Sequence, residues 1–204
     1  MKNKYIEDLK EIKDIMNRSS RFISLSGLSG ISAGITALIG AYLVHKFIFV
    51  DSDYLIFGSV LLSTEQFSKL LIIACGTIVV SIGLVIFLTT QETKKRKQEI
   101  WDQQTKRILL NLSIPLLSGG IISMIFLARG YVGIVFPMTL IFYGMALVNV
   151  SKYTLNEIRS LGLIEILLGL VALQWISYGL IIWSLGFGVL HIVYGFIIKM
   201  KYRS

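Results

Sequence analysis

Residues 160–198 read SLGLIEILLGLVALQWISYGLIIWSLGFGVLHIVYGFII. No lysine or arginine interrupts this stretch, which holds a single acid, Glu165, and a single histidine, His191. A soluble core has no use for so long an apolar run. A hydrocarbon layer about 30 Å thick takes about 20 apolar residues per helix. The stretch therefore divides into two spans, Ser160–Ser177 and Gly179–Ile198, joined at Tyr178 as a tight antiparallel hairpin. Backbone groups in lipid have to be satisfied within their own segment, so each span is a helix.

The same reading extends back along the chain to Phe22–Val44, Leu70–Thr90, Ile108–Ala128 and Tyr131–Val150, with the third and fourth spans joined at Arg129–Gly130. Six spans in 204 residues predict an all-α polytopic membrane protein. It has one six-helix membrane domain over residues 22–204, behind an N-terminal tail over residues 1–21. Composition agrees: 54% of residues are apolar, 16% are charged and the mean hydropathy is +0.74, whereas soluble domains carry about 25% charged residues. The first span follows a charged stretch and precedes no small-residue cleavage site, so it reads as a permanent helix.

The charges set the expected orientation. One side receives Lys2, Lys4, Lys10, Lys13, Arg18 and Arg21 from the tail, and Lys94, Lys95, Arg96, Lys97, Lys106 and Arg107 between spans two and three. It also receives Lys152, Arg159, Lys199, Lys201 and Arg203. The other side receives only Lys46, Lys69 and Arg129. So strong a bias places both termini in the cytoplasm. The net charge of +8 is thus a topology signal and not a nucleic-acid footprint. The Lys94, Lys95, Arg96 and Lys97 cluster also suits anionic lipid headgroups.

The tail carries Ile6, Leu9, Ile12 and Met16 at helical spacing, an amphipathic pattern that suits a membrane surface or a protein partner. Between spans one and two, Tyr54–Leu62 is apolar but too short to cross, so it reads as an interfacial segment.

Small residues recur on one face of every span. Gly162, Glu165, Gly169 and Ala172 in span five match Ser113, Leu116, Gly120 and Ser123 in span three, and Gly27, Gly30, Gly34 and Ala37 in span one. In the even spans Gly76/Val79/Gly83, Pro137/Leu140/Gly144 and Gly188/His191/Gly195 share a register, and Tyr143-Gly144 matches Tyr194-Gly195. The chain thus reads as three copies of one helical hairpin. In lipid, close backbone approach at small residues supplies the contact that hydrophobic burial does not. All six small-residue faces are therefore expected to point inward, and they also suit a homo-oligomer.

Three apolar hairpins, with a Gly-x-x-Ala-Leu first helix (Gly34–Leu38, Gly169–Leu173) and a Tyr-Gly second helix, resemble the HdeD-like family of small six-helix membrane proteins. The resemblance is best over residues 112–201. It implies a bacterial inner-membrane protein linked to stress or acid tolerance, with no catalytic residues.

Glu165 is the only acid within a span. A charged acid at mid-helix costs about 2.5–3.5 kcal/mol on insertion scales, so such a residue invites a functional reading. Glu165 and His191 stand at equal sequence distance from Tyr178, and antiparallel helices of equal rise bring them to one depth. The expectation is a buried titratable Glu165–His191 contact, either a structural hydrogen bond or a group that carries or senses protons. Polar residues that could extend a relay are few: Gln174, Asn111, Asn149, Tyr143 and Tyr194. Pro115 and Pro137 are expected to kink their helices, and Trp175, Tyr178 and Trp183 read as an aromatic belt.

Cys75 is the only cysteine and there are two histidines, so no metal site or cofactor is expected. No zinc-protease, serine-hydrolase or phosphate-loop motif occurs. The reading is a non-enzymatic interaction or stress-response module. The alternative is a small proton-coupled transporter or channel using Glu165 and His191.

Overall fold

The computed structural model describes Leu9, residues 27–49 and 62–95, Trp101 and residues 103–201, all helical apart from short turns. The amphipathic tail, most of the 54–62 segment, Arg96 and Lys97 lie outside the described residues. The helices are α1 (Gly27–Phe49), α2 (Thr64–Lys95), α3 (Gln103–Ala128), α4 (Val132–Val150), α5 (Asn156–Gln174) and α6 (Ile176–Lys201).

Five of these are long and apolar enough to cross a membrane: α1, α2, α3, α4 and α6. α5 has only 19 residues and carries three charged ones, Glu157, Arg159 and Glu165, along that short length, which sets it apart from the other five. α2 and α3 run past their expected limits, back to Thr64 and on to Lys95, and back to Gln103. Solvated turns beyond the hydrocarbon simply continue the helix. α1 continues beyond Val44 in a π turn, His45–Phe49. α6 is composite: a 3₁₀ turn at Ile176–Tyr178, an α turn at Gly179–Trp183, a π segment at Ser184–Leu190 and an α segment at His191–Lys201. Pro115 and Pro137 sit within continuous helices. The α3–α4 turn needs Gly130, whose φ of 82° is open to glycine at little steric cost.

The end of α1, the start of α2 and the α3–α4 and α5–α6 turns share one end of the bundle, called here the far end. The start of α1 and the end of α6 mark the near end. At the far end Val44, Ile48 and Phe49 of α1 pack with Leu70, Leu127, Val132, Phe136 and Leu180, and the Phe49 ring meets Phe136 edge-on at 6.2 Å. At the near end Leu147, Val150, Leu155, Ile158, Leu161 and Ile198 form a second core. Gln104 Nε2 donates to the Tyr153 carbonyl at 2.9 Å, and Lys201 pairs with Glu157 at 2.5 Å.

Between these cores run two glycine-to-backbone seams. In the α4·α5 seam a Cβ on Gly144 would lie 2.6 Å from the Gly162 carbonyl, and one on Gly162 would lie 2.7 Å from the Gly144 carbonyl. The α6·α1 seam repeats this reciprocity between Gly195 and Gly27. Gly169 lies against Pro137 and Ile141, and Gly34 in the same way against Gly188 and Ile192. Gly30 approaches Gly195 and the His191 carbonyl. Only glycine lets helix backbones come this close.

The small faces of α2 and α3 do not behave so, which corrects the expectation for Gly76, Gly83 and Gly120. A Cβ added at any of the three meets nothing within 4 Å. α2 packs on α1 through a neighbouring face, where Gly40 abuts Thr77, and α3 packs on α4 through Gly119, which abuts Phe142. α2 and α3 approach each other at the far end, where Leu62, Thr64 and Phe67 face Leu127, Ala128 and Gly130 across a crevice. Toward the near end their small-residue faces lie open.

Candidate buried polar site

The expected Glu165–His191 contact is present. His191 Nδ1 lies 3.5 Å from Glu165 Oε1, with both side chains buried and Glu165 at 0% exposure. Glu165 reaches this place because it shares a face of α5 with Gly162 and Gly169, and that face is pressed into the bundle. Gly186 makes room for its carboxyl group. A Cβ at Gly186 would sit 2.5 Å from Glu165 Oε2 and 2.7 Å from Leu140 Cδ2.

Two further groups hold the imidazole. Nδ1 lies 3.0 Å from the Gly186 carbonyl, inside the π segment, and Nε2 lies 2.8 Å from the Tyr143 hydroxyl. A carbonyl oxygen only accepts, so Nδ1 carries a hydrogen and donates it to Gly186. In the neutral ring, Nε2 then accepts from the Tyr143 O–H. When the ring takes up a second proton the same contact reverses, with Nε2–H donating to the phenolic oxygen. Glu165 Oε1 is then within ion-pair distance of a cationic ring. The cluster can therefore store one proton at Nε2 without moving a heavy atom.

The carboxyl itself is the less satisfied member. Neither Glu165 oxygen has a hydrogen-bond partner among the described residues, and Glu165 lines neither of two crevices on those residues. One crevice is at the far end, and the other is lined by Pro115, Met145, Val148, Asn149, Lys152 and Ile166.

An aromatic ladder runs from the imidazole toward the far end. Phe187 stacks on His191 at 5.9 Å and sits 4.8 Å from both Tyr143 and Trp183. Trp183 Nε1 donates to Thr139 Oγ1 on α4 at 3.0 Å. Trp183 is thus a clasp between α6 and α4, where the sequence suggested a member of an aromatic belt. Spacing alone placed Tyr143 only among loose relay candidates. The signal that could have found it is the register shared by Tyr143-Gly144 and Tyr194-Gly195, which puts Tyr143 on the edge of a close-packed seam.

Tyr194 meets the Ser160 side chain, while Asn149, Asn111 and Ser113 are absorbed by backbone. Asn149 Nδ2 donates to the Asn111 carbonyl at 3.1 Å, Asn111 Nδ2 donates to the Arg107 carbonyl, and Ser113 Oγ donates to the Leu109 carbonyl. No group of three or more metal-ligating side chains occurs among the described residues. Lys94 and Lys95 end α2 and are exposed. Comparison with protein-family models, with curated proteins and with solved structures gave no match.

Proposed function

We propose that this chain is a non-enzymatic multi-pass protein of the bacterial inner membrane, with both termini cytoplasmic, serving as an interaction or stress-response module. The observation that carries this reading is the sealing of the only intramembrane acid. Glu165 has no exposed surface. A carrier would bring its titratable group to water on one side at a time. In this molecule Glu165, His191 and Tyr143 tie α5, α6 and α4 together, which is the work of a lock.

Three lines support the finer parts. Among the described residues the near end carries Lys94, Lys95, Lys106, Arg107, Lys152, Arg159, Lys199 and Lys201 and the far end only Lys46, Lys69 and Arg129, which is the cytoplasmic pattern. The matching registers of the α4·α5 and α6·α1 seams are what three copies of one hairpin would produce. The resemblance to HdeD-like proteins points to stress or acid tolerance, where a histidine lock would lend pH sensitivity. The amphipathic tail is the element offered to a partner, and anionic headgroups the surface beside it.

A small proton-coupled transporter or channel is the second reading. The π segment at Ser184–Leu190 beside the carboxyl favours it, since such segments frequently lie at functional sites. Reconstitution in liposomes under an imposed pH gradient separates the two. The module reading expects no proton or cation flux from wild type. Flux that Glu165→Gln abolishes would overturn it.

A further inference from the structure

α4 forms the floor of a crevice between α3 and α5. Pro115 of α3 and Ile166 of α5 wall it, Met145, Val148, Asn149 and Lys152 of α4 line its base, and its volume is about 340 Å³. The residues explain the hollow. Pro115 has no N–H, so the Asn111 carbonyl one turn back loses its helical donor. Asn149 Nδ2 turns toward α3 and supplies one at 3.1 Å. On the other flank Gly144 and Gly162 draw α5 tight against α4, with Ile166 over Gly144. Met145 and Lys152, seven residues apart and so on one face of α4, are left exposed between the two walls.

Three cations from three helices gather at the near-end mouth. Lys152 lines the crevice itself. Arg107 of α3 stands level with it, because the Gln104–Tyr153 and Asn111–Asn149 hydrogen bonds bracket that stretch of α3 against the end of α4. Arg159 precedes Ile166 by seven residues, on the same face of α5. The pairing of Gly162 with Gly144 sets Arg159 within about one helical turn of Lys152 in depth. All three cations are exposed, and none has an ion-pair partner among the described residues, whereas Lys201 at the same end is matched by Glu157. The occupant has to be apolar along Met145 and Ile166 and anionic at the mouth. A second copy of this chain would set identical cations against these.

We propose that this crevice binds one anionic phospholipid, with its headgroup phosphate among Arg107, Lys152 and Arg159 and the upper part of an acyl chain along Met145 and Ile166. The depth agrees. Lys152 to Met145 and Arg159 to Ile166 each cover roughly 10 Å at 1.5 Å rise per residue, inside the roughly 15 Å that half of a hydrocarbon layer supplies. Basic pockets between helices on the cytoplasmic side suit anionic headgroups. Placing the lipid in the inner leaflet rests on the orientation proposed above; the crevice and its cations do not.

The test is native mass spectrometry of the full chain, delipidated in detergent and re-exposed to phosphatidylglycerol or to phosphatidylcholine. Wild type retains one phosphatidylglycerol about tenfold better than phosphatidylcholine. Arg107→Gln, Lys152→Gln and Arg159→Gln together abolish that preference. Lys94→Gln, Lys95→Gln and Lys106→Gln together take the same charge from the same end outside the crevice, and leave the preference in place. Met145→Trp fills the floor and removes most of the bound phosphatidylglycerol while every cation stays. All seven positions are exposed, so the variants keep the wild-type helical circular dichroism and elution volume. Equal loss in the two triple variants, or retention unchanged by Met145→Trp, would make the binding a diffuse surface attraction and overturn the proposal. So would equal retention of the two lipids by wild type, or a lipid-free dimer that covers Met145.

Discussion

Gly162 and Gly83 occupy comparable places on small-residue faces of two helices, yet one is wedged against a neighbouring backbone and the other faces open space. The difference teaches that a small-residue stripe confers a capacity for close approach and nothing more. Whether the capacity is used depends on what the fold brings opposite. For α5 and α1 the fold brings a second stripe in register. For Gly76, Gly83 and Gly120 it brings nothing within 4 Å.

The sharpest way to break this comparison is to fill both kinds of position. Gly162→Leu or Gly195→Leu is expected to cost about 3 kcal/mol or prevent folding, since the new side chain meets a backbone carbonyl that has no room to withdraw. Gly83→Leu and Gly120→Leu should stay within about 0.5 kcal/mol of wild type. Equilibrium unfolding in mixed micelles, followed by tryptophan fluorescence, reads both. Equal costs at the two kinds of site would mean that the α2 and α3 stripes are packed after all.

A smaller effect tests the buried cluster. Gly186→Ala is expected to cost about 1–2 kcal/mol by pushing on the Glu165 carboxyl and Leu140. Adding Glu165→Ala should return part of that loss, giving a coupling of about 1 kcal/mol in a double-mutant cycle. Strict additivity would show that Gly186 does not position the acid.

Tyr143→Phe removes the hydroxyl that meets His191 Nε2 and should cost about 0.6 kcal/mol, with about 1.7 as the ceiling seen for intramembrane hydrogen bonds. Its nitrogen-15 imidazole spectrum should also change, since Nε2 loses its partner while Nδ1 keeps Gly186. An unchanged Nε2 shift would remove Tyr143 from the cluster.

The smallest effect belongs to the near-end clasp. Lys201 is 60% exposed in its pair with Glu157, so Lys201→Gln should cost no more than about 0.5 kcal/mol and nothing at high salt. A larger, salt-resistant loss would mean that the pair is shielded from water.

Much of the site was legible before any coordinate. Glu165 and His191 flank Tyr178 symmetrically, and a helix rises by a constant amount per residue, so their common depth follows from counting. The turn itself came out as Trp175–Tyr178, a shift too small to separate them. Tyr143 was legible only as a residue on the edge of a small-residue face, through the register it shares with Tyr194, because it comes from a different hairpin and chain spacing does not say which residue it approaches. The π segment of α6 was hidden as well, since no local residue pattern distinguishes it from an α turn rich in glycine. Trp183 looked interfacial by its position along the chain, and only the approach of Thr139 gave its indole another partner.

By itself, then, the order of residues determined that the chain is helical and of membrane-crossing character, where its hairpins turn, and which acid and which imidazole share a depth. These follow from hydropathy and helical rise, which are properties of single segments. The tertiary structure alone decided which glycine faces meet, that a tyrosine completes the polar cluster, and that Gly76, Gly83 and Gly120 meet no neighbour. Those outcomes depend on how hairpins distant in sequence pack, which no single segment's hydropathy or helical rise encodes.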